Sequence, residues 1–255
     1  MSEGIVSYRP GDGPIHSLHP ITKVVLVVSV IAGAYLAPTP VVVALLAALV
    51  AATVVDGVLD AVWRPAVTIL LPLGVGLFVI HGLFTRGDGT ALAAVGPATV
   101  WRAGVEFALA TFLVLAAFVL AGLLFVTTTH PKRLMVGLIE TGVPRKLGYV
   151  FVASLQLVPE LQRRARNILD AQRSRGLDTG GSPRERLRAL VALFGPLLIG
   201  TLVSTQTRSL ALEARGFSME GPRTSLYDLP ETTVDHALRL GGVIAVAGLG
   251  AWRLL

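Results

Sequence analysis

Residues 104–126, GVEFALATFLVLAAFVLAGLLFV, decide the fold of this chain. The stretch carries one charged side chain, Glu106, and exceeds the roughly 20 residues that a helix needs to cross the hydrocarbon core of a bilayer. Across the 255 residues, 53% are hydrophobic and only 15% are charged. A soluble domain carries about 25% charged residues. The composition therefore predicts a protein whose solvent is largely lipid.

Four further apolar blocks accompany this stretch, at residues 24–37, 41–55, 66–84 and 237–254. The first two are short for a span, and only Pro38-Thr39-Pro40 separates them, which favours a tight helical hairpin. Pro72 inside the third block is tolerable because neighbouring helices can satisfy the backbone groups that it frees. We therefore expect an all-α membrane protein with about five transmembrane helices.

The basic residues indicate the topology. Of the 22 Lys and Arg residues, 15 lie between Lys132 and Arg223, and basic loops stay on the cytoplasmic side. This places the N-terminus in the cytoplasm, the loop between the third and fourth blocks outside, and the C-terminus outside. The net charge of +6 does not indicate nucleic acid, because the basic residues are not interleaved with aromatic ones. The expected domains are a four-span region (1–126), a segment of cytoplasmic or interfacial helices (127–235) and a final span (236–255).

The basic segment predicts two long helices. Apolar residues recur at helical spacing through 157–169, and Glu160/Arg164 and Arg166/Asp170 are i,i+4 pairs of opposite charge. A second helix begins at Ser182 with the signature of a capping box and could run to Arg215, with a kink at Pro196. Its uncharged middle, 189–203, fits either a helix along the membrane surface, which we favour, or a short span.

Both helices end in the same pattern, Ala-x-x-x-Arg-Gly. The copies are AQRSRG at 171–176 and ALEARG at 211–216. Glycine permits the left-handed conformation that ends a helix, and alanine leaves room for a partner surface. Arginine offers a planar fork of donors for carboxylates or carbonyls. A single Arg-Gly ending is common, because a cation suits the helix C-terminus, but two matched copies in one basic segment favour a binding role.

This motif pair resembles the transmembrane coupling component, the T component, of energy-coupling factor (ECF) transporters, the CbiQ/EcfT-like family. Further matching stretches are YRPG at 8–11, PIHSLHPITK at 14–23 and GVP at 142–144. The chain departs from the family pattern at Ser174, where alanine is commoner, and at His19, where aspartate is usual. The resemblance covers most of the chain, although the spans match only in hydropathy.

The resemblance implies a non-catalytic subunit of an importer for vitamins or for cobalt or nickel ions, in the cell membrane. Its partners would be two ATPase subunits, as a homo- or heterodimer, and a substrate-binding membrane subunit, the S component. ATP would bind the ATPases, and this chain would hold no cofactor. The implied ATPase contacts are Ala171, Ser174, Arg175, Gly176, Ala211, Ala214, Arg215 and Gly216. The implied S-component contacts are Leu157, Leu161, Ile168, Leu187 and Leu190.

Two alternatives remain, a membrane-embedded enzyme and a stand-alone secondary transporter. Neither is favoured, because the basic segment lacks converging acids or nucleophiles and the spans are almost wholly apolar with no clear repeat. No lysine follows a glycine, so the sequence lacks the Gly-Lys-[Ser/Thr] of a phosphate-binding loop. His16 and His19 could share a helix face, but they lack a third ligand nearby, and we expect polar structural roles for them.

Overall fold

The computed structural model describes residues 8–85, 91–95, 98–177, 181–219 and 229–254, and it is almost wholly helical. The elements are α1 (Pro14–Ser17), α2 (Pro20–Leu36), α3 (Thr39–Val55), α4 (Leu59–Phe84), β1 (Ala91–Val95), β2 (Ala98–Trp101), α5 (Arg102–Thr128), α6 (Pro131–Glu140), α7 (Arg145–Ser174), α8 (Pro183–Ala214) and α9 (Thr233–Leu254). Two compact units result, one formed by residues 1–142 and 229–255 and the other by residues 143–228.

The all-α membrane architecture is confirmed. Within the described ranges, α4, α5, α8 and α9 are long and apolar enough to cross a membrane, and α2 and α3 are shorter apolar helices. The helix α8 thus has the length and composition of a span, and residues 189–203 remain compatible with lying across the membrane or along it. Pro196 lies inside α8 without interrupting it.

A small β-ribbon precedes α5 and was not predicted. The strands β1 and β2 pair in antiparallel register, with Ala94 opposite Thr99. The sequence ALAAV of β1 has little intrinsic strand preference, so only its pairing with β2 makes it a strand. The amphipathic helix α6, which packs against α2, was also not predicted.

The helices α4 and α5 form the central pair of the first unit. Their backbones approach closely at Gly104, where any Cβ atom would collide with the carbonyl oxygen of His81. Another close approach is at Gly74, where a Cβ atom would lie 2.9 Å from the ring of Phe112. The adjoining buried core consists of Val58, Val62, Ala66, Leu123 and Leu124.

Two buried polar networks fasten the ends of these helices. In the first, His16 Nδ1 lies 2.5 Å from Asp56 Oδ2, and Asp56 Oδ1 accepts a 2.9 Å bond from the backbone N–H of Ile15. The other ring nitrogen of His16 is 2.9 Å from the carbonyl oxygen of Arg9. Nearby, the Lys23 ammonium donates to the carbonyls of His16 and Thr128. The residues that precede α2 are therefore fixed to the ends of α3 and α5.

The second network joins α9 to the start of α2. The buried Asp235 carboxylate accepts a 2.9 Å bond from the backbone N–H of His19. Arg239 donates to Thr22 Oγ at 2.8 Å and lies 2.9 Å from His19 Nδ1. His19 and His16 are thus buried structural residues, and the part of the chain that the structure describes holds no His/Asp/Glu group arranged for a metal ion. His19 also caps α2 by accepting from the backbone N–H of Ile21.

In the second unit, α7 and α8 pack against each other. The predicted capping box at the start of α8 is confirmed, and the backbone N–H of Ser182 donates to the carboxylate of Glu185 at 2.5 Å. The unit boundaries differ from the expected domain limits, because residues 127–142 and 229–235 belong to the first unit. The functional division into membrane and coupling regions stays a prediction.

Candidate functional site

The C-terminus of α7 ends in a Schellman motif. Arg175 is the C-cap residue, and Gly176 follows with φ +88°. The N–H of Gly176 donates to the carbonyl of Arg173 at 2.9 Å, and the N–H of Leu177 reaches back to Gln172 at 3.0 Å. This pair of bonds satisfies carbonyls that a helix end leaves free. The glycine is required because a side chain strains the left-handed backbone.

The C-terminus of α8 repeats this geometry forty residues later. Arg215 is the C-cap residue, and Gly216 has φ +71°. The N–H of Gly216 donates to the carbonyl of Glu213 at 2.9 Å, and the N–H of Phe217 donates to Leu212 at 3.0 Å. Both Arg-Gly sequences therefore place arginine at the same position of the same cap.

The cap alone is not distinctive, since α3 ends similarly at Asp56 and Gly57. What distinguishes the two arginines is their exposure. Asp56 is buried against His16, whereas Arg175 and Arg215 are both exposed. Among the described residues, neither guanidinium has a hydrogen-bond or ion-pair partner. Within the described ranges, two charged donor groups thus project from capped helix ends without a bonding partner.

Small residues surround both arginines. Ala171 and Ser174 on α7, and Ala211 and Ala214 on α8, are all exposed. The Ser174 hydroxyl donates to the carbonyl of Asp170 at 3.1 Å, within its own helix. Ser174 therefore presents a small surface much as alanine does, and the departure from the family pattern leaves the tip uncovered.

The helices α7 and α8 meet at a polar crossing. Glu160 is the centre, with one carboxylate oxygen 2.5 Å from Arg164 Nη2 and the other bonded to Arg208 of α8. Arg164 also donates to the carbonyl of Gly200 and to Ser204 Oγ, both at 3.0 Å. These five residues, Glu160, Arg164, Gly200, Ser204 and Arg208, are called the crossing cluster below.

The guanidinium groups of Arg208 and Arg164 hold the pKa of Glu160 below its ordinary value of 4.5. The hydrogen bond from Arg208 is the largest cause of this lowering, and burial opposes it. Glu160 is therefore ionised at neutral pH and joins two cations on different helices. The crossing cluster is a charged contact rather than a neutral one.

The two helices run antiparallel. Tyr149, near the start of α7, packs on Phe217, just after α8, with ring centroids 5.0 Å apart. The two tips consequently lie on opposite sides of the crossing cluster. Arg175 follows Arg164 by eleven residues, and Arg215 follows Ser204 by eleven. At the rise of an α-helix, each tip lies about 16 Å beyond the crossing.

The structure places the five expected S-component contacts in two groups. Leu157, Leu161 and Ile168 are half-buried on α7. Leu187 and Leu190 on α8 are 62% and 52% exposed, respectively. The assignment of all five to a partner surface stays a prediction, and the two on α8 are the more available for contact.

The sequence predicted part of the crossing cluster. The Glu160–Arg164 pair is confirmed, whereas the Arg166–Asp170 pair is wrong, because Asp170 bonds to Arg173 at 3.3 Å instead. The contact of Glu160 with Arg208 was missed. Its available signal was the forty-residue repeat, which makes Arg164 and Ser204 equivalent positions, as expected at the crossing of two similar helices.

Comparison with known proteins identifies the family. Residues 11–226 match the family model CbiQ, described as cobalt transport protein. The chain is 28% identical to the energy-coupling factor transporter transmembrane protein EcfT of Brevibacillus brevis, over 98% of this chain and 97% of that protein. It is 25% identical to EcfT of Bacillus subtilis, over 95% of each chain.

A third relative is organised differently. An ABC transporter ATP-binding protein of Bifidobacterium longum is 30% identical over 96% of this chain, which spans only 33% of that longer protein. About two thirds of that protein, which is named for ATP binding, therefore lie outside the match. The family match covers most of the chain and both helix tips, and the chain therefore belongs to the CbiQ family and is the T component of an energy-coupling factor transporter.

Proposed function

We propose that this T component passes ATP-driven motion from two cytoplasmic ATPase subunits to a substrate-binding S component in the membrane. The observation that carries the proposal is a pair of exposed arginines, Arg175 and Arg215, which have no partner in the described part of the chain and are held in matching caps at the ends of two crossed helices. One tip would bind each ATPase subunit, and the guanidinium would bond to carboxylates or backbone carbonyls in a groove.

Closure of an ATPase dimer around ATP would move the two grooves towards each other. Because each arginine caps a continuous helix that also carries part of the crossing cluster, that displacement would reach the cluster without passing through a loop. The exposed Leu187 and Leu190 and the half-buried face with Leu157, Leu161 and Ile168 would transmit it to the S component. The chain itself would bind no ATP and perform no catalysis.

The cargo binds to the S component in this proposal, so the T component need not recognise it. Importers of vitamins and of cobalt or nickel ions are both consistent with the family. A stand-alone transporter is not supported by α5, whose one ionisable pair, Arg102 with Glu106, is exposed at the helix start. The ionisable side chains Lys23 of α2 and Asp235 and Arg239 of α9 instead bond helix ends together. A membrane enzyme is not supported either, since the acid of the crossing cluster is engaged by two arginines.

The test is charge reversal at each tip. We expect Arg175→Glu and Arg215→Glu each to reduce ATP-driven uptake at least tenfold, because truncating or reversing a buried interfacial charge costs several kcal/mol. Uptake would be measured in proteoliposomes with the ATPases and the S component, and co-purification of the ATPases would be quantified in parallel.

The matched control is Arg166→Glu, which makes the same charge change at an exposed position of α7 away from its tip. We expect it to retain ATPase binding and uptake. Normal uptake in both tip variants, with the protein correctly inserted, would refute the coupling role.

A further inference from the structure

We propose that Glu160 is a positioning residue that sets the angle between α7 and α8, and through it the separation of the two arginine tips. The inference rests on the proposed function, because the separation matters only if both tips are bound. It goes further by assigning the control of that separation to one side chain between the tips.

The geometry of the crossing cluster carries the proposal. Glu160 uses both carboxylate oxygens, one for Arg164 on its own helix and one for Arg208 on the other. Arg164 is then aimed at the α8 backbone carbonyl of Gly200 and at Ser204 Oγ, at 3.0 Å each. A guanidinium fork with several fixed partners restrains orientation as well as distance. The cluster therefore restrains the angle between the helices in addition to their approach.

Apolar packing does not replace this restraint. Four large apolar side chains of α8 near the crossing are exposed to between 56% and 66%: Leu198, Ile199, Leu202 and Val203. These four side chains lie on the exposed side of α8, so they add nothing to its packing on α7. The apolar contact is made by half-buried residues such as Leu161 and Leu197 and by the Tyr149–Phe217 ring pair, and the polar contacts of Glu160 act beside it at the crossing itself.

The position of the cluster magnifies its effect. Each tip lies eleven residues, or about 16 Å, beyond the crossing. A change of about 10° in the crossing angle, within the scatter seen for packed helices, moves the end of such an arm by roughly 3 Å. That displacement is the length of a hydrogen bond, so an arginine that fits its groove at one angle would miss it at another.

The experiment measures the tip separation directly. The chain has no cysteine, so cysteines introduced at Ser174 and Ala214 can be spin-labelled uniquely, and the distance between labels can be measured in the full chain reconstituted in lipid, before ATPases occupy the labelled tips. We expect one narrow distribution in the parent chain and a broadened distribution, shifted by several ångströms, in Glu160→Gln. In the complete transporter without labels, Glu160→Gln should reduce ATP-driven uptake about tenfold or more while ATPase activity is retained. This is the pattern expected when the arginine tips are no longer correctly positioned.

Glu106→Gln is the matched control, because Glu106 forms an i,i+4 pair with Arg102 inside a single helix. We expect it to leave both the distance and uptake unchanged. Arg208→Gln removes the same cross-helix bond from the other side and should reproduce Glu160→Gln, which covers the case in which one variant fails to assemble. Combining Glu160→Arg with Arg208→Glu should narrow the distribution again.

An unchanged distance distribution in Glu160→Gln and Arg208→Gln would overturn the positioning role. A broadened distribution with normal uptake would overturn it as well, because the tip separation would then not be used. Failure of the proposed function is separate: it would appear as normal uptake in Arg175→Glu and Arg215→Glu, whatever the distance measurements give.

Discussion

At the scale of single residues, the buried contact between His16 and Asp56 shows how a short polar segment is fixed to apolar helices. The Asp56 side chain is fully covered: one carboxylate oxygen lies 2.5 Å from the imidazole, and the other accepts from backbone N–H groups at the start of α1. Both ring nitrogens of His16 face oxygen atoms. Losing either member would leave the other buried without its partner.

We expect Asp56→Asn to lower the free energy of unfolding by about 3–5 kcal/mol, the usual cost of removing one partner from a buried pair. The control is Asp60→Asn, an exposed acid in the first turn of α4, which should cost less than about 1 kcal/mol. Thermal unfolding in detergent measures both. Equal shifts in the two variants would contradict a stabilising role for the buried pair.

At the scale of elements, the contact of α4 with α5 depends on a close backbone approach. Gly104 has no room for a Cβ atom beside the His81 carbonyl, whereas a Cβ atom at Gly122, in the same helix, would meet nothing within 4 Å. Gly104 lies in the first turn of α5 and Gly122 in its interior, and of the two only Gly104 faces a close backbone. This contrast within one helix separates packing from helix propensity.

We expect Gly104→Ala to destabilise the protein by about 1–3 kcal/mol through overpacking. Gly122→Ala should be neutral or stabilising by up to about 1 kcal/mol, because alanine favours a helix over glycine. The comparison of unfolding temperatures in one detergent checks both. A loss of stability in Gly122→Ala as large as that in Gly104→Ala would show that the glycine contact is not the cause.

The sequence predicted elements better than contacts. The span in α5, the start of α8 at Ser182 and both Arg-Gly helix ends follow from local hydropathy and capping rules, and the structure confirms them. The bonds of Glu160 with Arg208 and of His19 with Asp235 could not be predicted. They join positions 48 and 216 residues apart, and local patterns carry no information on which distant helix a side chain will meet.

At the scale of the whole molecule, the first unit is formed from both ends of the chain, because its first and last apolar helices pack against each other. The helices α2 and α9 pack together, and a Cβ atom on Gly242 would lie 2.8 Å from Ser29 Oγ. Arg239 and Asp235 of α9 bond to the start of α2. Residues 143–228 are therefore an insertion whose two ends both connect to this closed unit.

We expect both arginine tips to face the cytoplasm. Cysteines at Ser174 and Ala214 should react with a membrane-impermeant maleimide only in inverted vesicles, because the basic segment stays on the cytoplasmic side. Thr99→Cys, in the ribbon between α4 and α5, should react from the external side and serves as the control. Modification of the two tip cysteines from opposite faces of the bilayer would contradict the coupling proposal.

The equal spacing of the two tips from the crossing cluster has a mechanical consequence. Eleven residues from Arg164 to Arg175 and eleven from Ser204 to Arg215 give α7 and α8 arms of equal length beyond their crossing, like the two blades of a pair of scissors. Two such arms are related by an approximate twofold axis through the crossing. Two ATPase subunits related by the same axis could therefore displace both tips by equal distances. In that arrangement, deleting a single helical turn from one arm would bring its tip about 5 Å closer to the crossing, and the two ATPase subunits would then act on arms of unequal length.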